Sequence, residues 1–224
     1  MVQDIAKKRV TSRRNCERTG APGVTSNLFM DLRKQFAKPT GTLGWMVGHM
    51  MAMTTADRSE WVFSLLDLRP EDRVLEIGFG PGTDVLRASR VVSFVAGVDH
   101  SDVMVKQASR RNAAAIRAGR VKIQLGSANQ LPYPEAHFDK VLAINSAQFW
   151  KDSVTTLAEV ARVLRPGGWT ALAVQPRSKG ATEDHAHQAG RGLADAMKKA
   201  GFSEVHCESR PMKPVSTVCA LGRK

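Results

Sequence analysis

The chain has 224 residues, 42% hydrophobic and 24% charged, which suits one folded domain with its own core and at most a small appendage. It lacks a run of about 18 apolar residues, arguing against a membrane span, and the basic Lys7, Lys8 and Arg9 do not lead into the apolar stretch of a secretory signal. A formal charge of +12 admits nucleic acid, an anionic surface or an acidic substrate as partner; three scattered cysteines (Cys16, Cys207, Cys219) without a Cys-x-x-Cys pair argue against a zinc or disulfide framework and suit a reducing, cytoplasmic setting.

Residues 1–24 have little apolar periodicity. In the first 36 residues eight basic side chains stand against three acidic ones, the composition of a flexible solvated arm; an organelle-targeting segment is the alternative. Residues 25–67 read as a helical cap. Leu28, Leu32 and Phe36 recur at four-residue spacing, then Pro39-Thr40-Gly41 breaks the run. A second helix carries Trp45, Met46, His49, Met50 and Met53, and a third from about Thr55 to Leu66 puts Trp61, Leu65 and Leu66 on one side. Trp45 and the methionines either close over a ligand site or pack against the core.

From residue 68 to 224 the pattern changes to alternating strands and helices. Arg73–Gly78 is a short apolar run closed by glycines, as in a buried strand. Further strands are expected at Phe94–Asp99, Val121–Leu125, Lys140–Asn145, Trp169–Gln175, Glu204–Ser209 and Val215–Leu221, with helices in the first four gaps and at Gln188–Ala200. Such alternation implies an α/β fold: a mainly parallel sheet with helices on both faces, preceded by the N-terminal helical cap. The last two strands are joined by Arg210–Pro214, too short and proline-rich for a helix, so they form an antiparallel final pair.

The strongest local signal is Glu76-Ile-Gly78-Phe-Gly80-Pro-Gly82, between a strand and a helical pattern. Glycines there let the backbone turn sharply and let a ligand touch main chain. The spacing is G-x-G-x-G, not the G-x-G-x-x-G of dinucleotide sites, and no Lys-Ser/Thr follows at phosphate-loop spacing. Asp99, about twenty residues on at a strand end, is placed to accept two ribose hydroxyls, or else to cap the helix beginning near Ser101. A nucleoside ligand without a pyrophosphate remains.

Four stretches in order complete a resemblance: Val74–Gly82, Gly97-Val-Asp-His-Ser-Asp-Val-Met104, Gly126-Ser-Ala-Asn-Gln-Leu-Pro-Tyr-Pro134 with Phe138-Asp139, and Leu164-Arg-Pro-Gly-Gly-Trp169. Over roughly Leu68 to Leu221 the chain resembles class I, Rossmann-like S-adenosylmethionine-dependent methyltransferases, nearest the type 11 small-molecule group. The resemblance implies S-adenosylmethionine as cofactor and assigns roles. Gly78, Gly80 and Gly82 pass under its methionine part. Glu76 orders that loop and approaches the ammonium. Asp99 holds the ribose, His100 and Met104 flank the adenine, and Ser127 and Ala128 stand at the adenine edge. Asn145 ends the fourth strand beside the sulfonium. The family usually has Asp where this chain has Ser127, which accepts a hydrogen bond more weakly because it is uncharged. Leu164-Arg-Pro-Gly-Gly reads as a structural turn before a strand.

The acceptor is expected at the carboxyl ends of the strands. Asn145–Trp150 offers Gln148, Phe149 and Trp150; with Trp45 and Met46 of the cap they form the expected acceptor pocket. Gln175-Pro-Arg-Ser-Lys-Gly180 is the second candidate segment, its loop continuing to His185 and His187. These two are weak candidates for a general base; no other stands out, and no metal is expected. The expected reaction is methyl transfer to a small organic acceptor, with RNA as the alternative acceptor. The acceptor atom and the oligomeric state stay open.

Overall fold

In the computed structural model the described residues are 56–224. The expected arm, most of the expected cap, and Trp45, Met46, Met50 and Met53 lie outside them. Helix α1 (Ala56–Leu66) leads into β1 (Arg73–Ile77), α2 (Thr83–Ala88), β2 (Phe94–Asp99), α3 (Asp102–Arg111), α4 (Ala113–Arg117) and β3 (Val121–Leu125). Then follow β4 (Phe138–Ile144), a 3-10 turn at Ala147–Phe149, α5 (Ser153–Val163), β5 (Leu164–Val174), α6 (Glu183–Lys199), β6 (Ser203–Arg210) and β7 (Thr217–Arg223).

The strands form one seven-stranded sheet in the order β3-β2-β1-β4-β5-β7-β6. β1 to β5 run parallel, and β7 is antiparallel to both β5 and β6. Strand order reverses between β1 and β4, so a crevice opens outside their carboxyl ends. Val74, Leu75, Val95, Ala96, Val141 and Leu172 are wholly buried, as continuous apolar runs are when helices cover both faces of a sheet. On one face Leu157, Val160 and Met197 pack against Leu75, Val141 and Leu172. On the other, Val62 and Leu66 of α1 pack with Val74, Leu142 and Ala171. Burying those two α1 side chains contributes about 1.5–3 kcal/mol each. Ser59 Oγ also donates to Asp84 Oδ2 at 2.7 Å, tying α1 to the start of α2.

Three differences from the sequence reading have local causes. The gap between β3 and β4 holds no helix: Pro132 and Pro134 interrupt it, and Glu159 and Arg162 of α5 instead take up its backbone N–H and carbonyl groups at Leu131 and Tyr133. Leu164-Arg-Pro-Gly-Gly lies within the span of β5; Leu164 pairs with Phe138 and Trp169 with Lys140, so the residues between form a bulge, with Gly167 at φ +77°. Helix α6 begins at Glu183, five residues before the expected Gln188, because Thr182 supplies its cap.

Candidate active site at the strand ends

Gly78 leaves β1 at φ +72°, its N–H donating to Val98 O of β2 at 2.7 Å. A Cβ on Gly78 would stand 2.4 Å from Ser146 Cβ, and Ser146 Oγ donates to Ile77 O at 2.6 Å. The loop and the end of β4 are therefore in backbone-to-side-chain contact. Gly82 has the same φ but a different neighbour: its absent Cβ would lie 2.5 Å from Ala108 Cβ of α3, and Asn112 Nδ2 donates to Gly82 O at 3.0 Å. Gly80, at φ +53°, has nothing within 4 Å of where a Cβ would stand. The first and third glycines seat the loop on its supports; the middle one leaves space.

Beside that space is a cavity of about 500 Å³. Of the expected cofactor residues, Gly78, Gly80, Asp99, His100, Met104, Ser127, Ala128 and Asn145 line it. Of the expected acceptor residues, Phe149 and Trp150 do. Glu76, Gly82 and Gln148 do not line it: Glu76 is buried beneath, Gly82 is turned to α3, and Gln148 Nε2 donates to Asn145 O at 3.1 Å. Trp45 and Met46 lie outside the described residues. The wall also includes Ser146, Asn129 and Thr155, which the sequence reading did not single out. The glycine at position 78 was the available signal for Ser146, since a glycine held at positive φ under a strand end needs a small partner.

Asp99 is 6% exposed. Its Oδ2 accepts Gly80 N–H and its Oδ1 accepts Ser101 N–H, both at 2.9 Å, so this one carboxylate sets the loop and the turn after β2. The cap of α3 is made by Ser101 Oγ, which accepts Met104 N–H. Burial pushes the Asp99 carboxyl above its ordinary value; the Ser101 and Gly80 N–H groups and the neighbouring His100 oppose that. Glu76 is 3% exposed, and burial drives its carboxyl well above the ordinary range, with Asp84 and Asp99 adding repulsion. Asp84 is paired with Arg87 at 2.9 Å; no ion pair is formed by Glu76 among the described residues. Asn145 sits at φ +53°, a strained position that Asn tolerates better than most residues. Its Oδ1 accepts Gln175 N–H at 2.7 Å and joins the ends of β4 and β5. Ser127, exposed, donates through Oγ to Asn129 Oδ1 at 2.6 Å.

His185 stands on the first turn of α6 and His187 on the second, not in a loop, and neither lines the cavity. Thr182 Oγ1 accepts His185 N–H at 3.3 Å while His185 Nδ1 accepts Thr182 N–H at 3.2 Å, a reciprocal cap that occupies the ring.

Comparisons with known proteins fit this geometry. Residues 75–172 match the model of a family described as "Methyltransferase domain". The uncharacterized methyltransferase YdaC of Bacillus subtilis is 31% identical over 182 residues, covering 80% of this chain and 98% of YdaC. The chain belongs to the S-adenosylmethionine-dependent methyltransferases. A second relative, 27-O-demethylrifamycin SV methyltransferase of Amycolatopsis mediterranei, is 31% identical over 68% of this chain, which spans 58% of that protein's length. Among solved structures, the [4+2]-cyclase SpnF superposes with a TM-score of 0.63 at 20% identity, over 75% of this chain and 80% of that one; it shares the fold alone.

The residues present fit the methyltransferase cofactor on two counts of their own. Glu76 and Asp99 place carboxyls under the loop, and no cation among the described residues pairs with Glu76, which suits a ligand ammonium. Gly80 keeps open the space a side chain would fill. No helix among the described residues is long and apolar enough to cross a membrane.

Proposed function

We propose that the 500 Å³ cavity holds S-adenosylmethionine and a small organic acceptor together, and that methyl transfer occurs above the ends of β1 and β4. The observation that carries this is the convergence of Gly78, Gly80, Asp99 and Asn145 with the aromatic Phe149 on one cavity. Asp99 holds the ribose, with Gly80 N–H fixing its Oδ2. Gly78 and Gly80 lie under the methionine part, and Glu76 offsets its ammonium from below. Gly82 acts one step removed, by seating the loop on α3. His100 and Met104 flank the adenine; Ser127 and Ala128 stand at its edge.

The bound cofactor supplies an electrophilic methyl group. The chain's own task is to align the acceptor and exclude water, for which orientation is the main source of rate. Phe149, 47% exposed, gives a flat apolar surface for this, and the half-buried Trp150 backs it. An apolar, aromatic wall suits an organic acceptor better than a phosphate-rich one. The relative named for a demethylrifamycin supports the same class. Cys207 and Cys219 are both free thiols, which supports a reducing, cytoplasmic setting.

Supplying the full chain with radiolabelled S-adenosylmethionine, and either metabolite extract or total RNA, tests the reading. Label is expected in low-mass organic products. Label in RNA and none in the extract would overturn it.

A further inference from the structure

Beyond Asp99 the cavity wall is built by the turn that follows β3. Gly126 N–H donates to Asp99 O at 2.9 Å, which pins the start of that turn to the end of β2. Gln130 N–H then donates back to Ser127 O at 3.2 Å and closes a four-residue turn over Ser127–Gln130. Ser127 and Asn129 both line the cavity, and their side chains meet there: Ser127 Oγ donates to Asn129 Oδ1 at 2.6 Å.

That is the one hydrogen bond made by the Asn129 amide among the described residues. The contrast with Asn145 is instructive. Asn145 Oδ1 accepts the backbone N–H of Gln175, a group that only donates, so the Asn145 amide has a single orientation. A hydroxyl both donates and accepts, so the bond between Ser127 and Asn129 has two senses. With Asn129 Oδ1 toward Ser127, the hydroxyl proton is taken up and Ser127 Oγ is left as an acceptor. With the amide turned over, Asn129 Nδ2 donates to Ser127 Oγ and the hydroxyl proton is released for a ligand. The two carboxylates in the wall offer no such choice and are engaged elsewhere. Asp99 accepts Gly80 and Ser101 N–H, and Asp152 caps α5 by accepting Val154 N–H, Thr155 N–H and the Thr155 hydroxyl.

We propose that Ser127 reads the group at the purine 6-position of the cofactor and that Asn129 sets the direction of its hydroxyl. In one sense the pair accepts from a 6-amino group; in the other it donates to a 6-oxygen. The site therefore takes an inosyl cofactor as well as an adenosyl one. This rests on the reading of the cavity as the S-adenosylmethionine site, with the base edge at Ser127. Both members of the pair are uncharged, so exchanging the amino group for oxygen forfeits no charge-assisted bond.

Calorimetry on the full chain, with S-adenosylhomocysteine and its 6-oxo counterpart S-inosylhomocysteine, tests this. The two should bind within about tenfold of each other, the range of one neutral hydrogen bond. Asn129→Asp is the deciding variant. A carboxylate only accepts, so it fixes the Ser127 hydroxyl in the sense that suits a 6-amino group. The side chain is exposed and aspartate suits turns as asparagine does, so the fold is kept. In this variant S-inosylhomocysteine should weaken by about tenfold or more, and S-adenosylhomocysteine by less than about threefold. Absence of S-adenosylhomocysteine binding to the parent chain overturns the reading of the cavity, and the proposal with it. Where S-adenosylhomocysteine binds, two results overturn the proposal alone: S-inosylhomocysteine binds the parent more than about tenfold more weakly, or Asn129→Asp moves both ligands by the same factor. The first would mean a fixed acceptor at the 6-position, the second that Asn129 only shapes the turn.

Discussion

Asp99 and Ser127 both face the cavity, yet they differ in what they can lose. Asp99 is a buried carboxylate whose oxygens already accept two backbone N–H groups, and its remaining lone pairs are available to ribose hydroxyls. Charge-assisted bonds of that kind contribute about 1.5–3 kcal/mol each. Ser127 is exposed and neutral, and one bond to it is worth about 1 kcal/mol. Asp99→Asn should therefore weaken S-adenosylhomocysteine by about tenfold or more, and Ser127→Ala by about fivefold at most, as read by calorimetry. Glu76 makes a sharper case. Its carboxyl is raised in the folded chain, so the stability linked to it is present at low pH and lost as pH rises from the ordinary carboxyl range through the raised value. A bound ammonium reverses that loss. Glu76→Gln is expected to raise the melting temperature of the ligand-free protein at pH 8 while weakening S-adenosylhomocysteine; a lower melting temperature at that pH would count against the assignment. The difference in charge between Asp99 and Ser127 was legible in the sequence; the setting of Glu76 was not. The motif named Glu76, but not that Arg87 pairs with Asp84 and leaves Glu76 without an ion pair among the described residues.

At the scale of elements, the loop after β1 and the turn after β4 are the two parts that make the site. Their glycines and aromatics separate into supports and surfaces. Gly82→Ala forces a methyl group to within 2.9 Å of the Ala108 Cα, which backbone cannot relieve, and adds the cost of a left-handed residue, about 1–2 kcal/mol. Gly80→Ala meets the left-handed cost alone, with its new methyl in open space by the cavity. The first variant should lose more melting temperature, and the second more cofactor affinity relative to its melting temperature. Phe149 and Trp150 divide in the same way. Phe149→Ala should cut methyl transfer and spare the melting temperature, whereas Trp150→Ala should lower both, because Trp150 packs against the core and Phe149 is exposed. β2 was readable because a buried parallel strand is a continuous apolar run; β3, at the sheet edge, alternates Val121, Ile123 and Leu125 with Lys122 and Gln124 and also falls on the expected residues. The stretch before β4 was not, because what replaces a helix there is a set of contacts from Glu159 and Arg162, far along the chain. His185 was assigned to a loop because a capping box with histidine as its second member has no common sequence signature.

Over the whole molecule, the order β3-β2-β1-β4-β5-β7-β6 puts the strand ends that carry function next to each other. The motifs reveal the half of the site built by β1, β2 and β3, since each motif sits on one strand and its following turn. The other half depends on partners distant in sequence: Ser146 against Gly78, Gln175 against Asn145, Arg58 against Gln175. No local spacing encodes those. The expected cap residues Trp45 and Met46 lie outside the described residues, so the acceptor side rests on Phe149 and Trp150. All of it depends on one claim, that the glycine loop and Asp99 bind an adenosyl cofactor without a pyrophosphate. Parallel calorimetric titrations of S-adenosylhomocysteine and NAD into the full chain test this most directly. The account predicts one S-adenosylhomocysteine bound per chain and no NAD; binding of NAD with none of S-adenosylhomocysteine would contradict it.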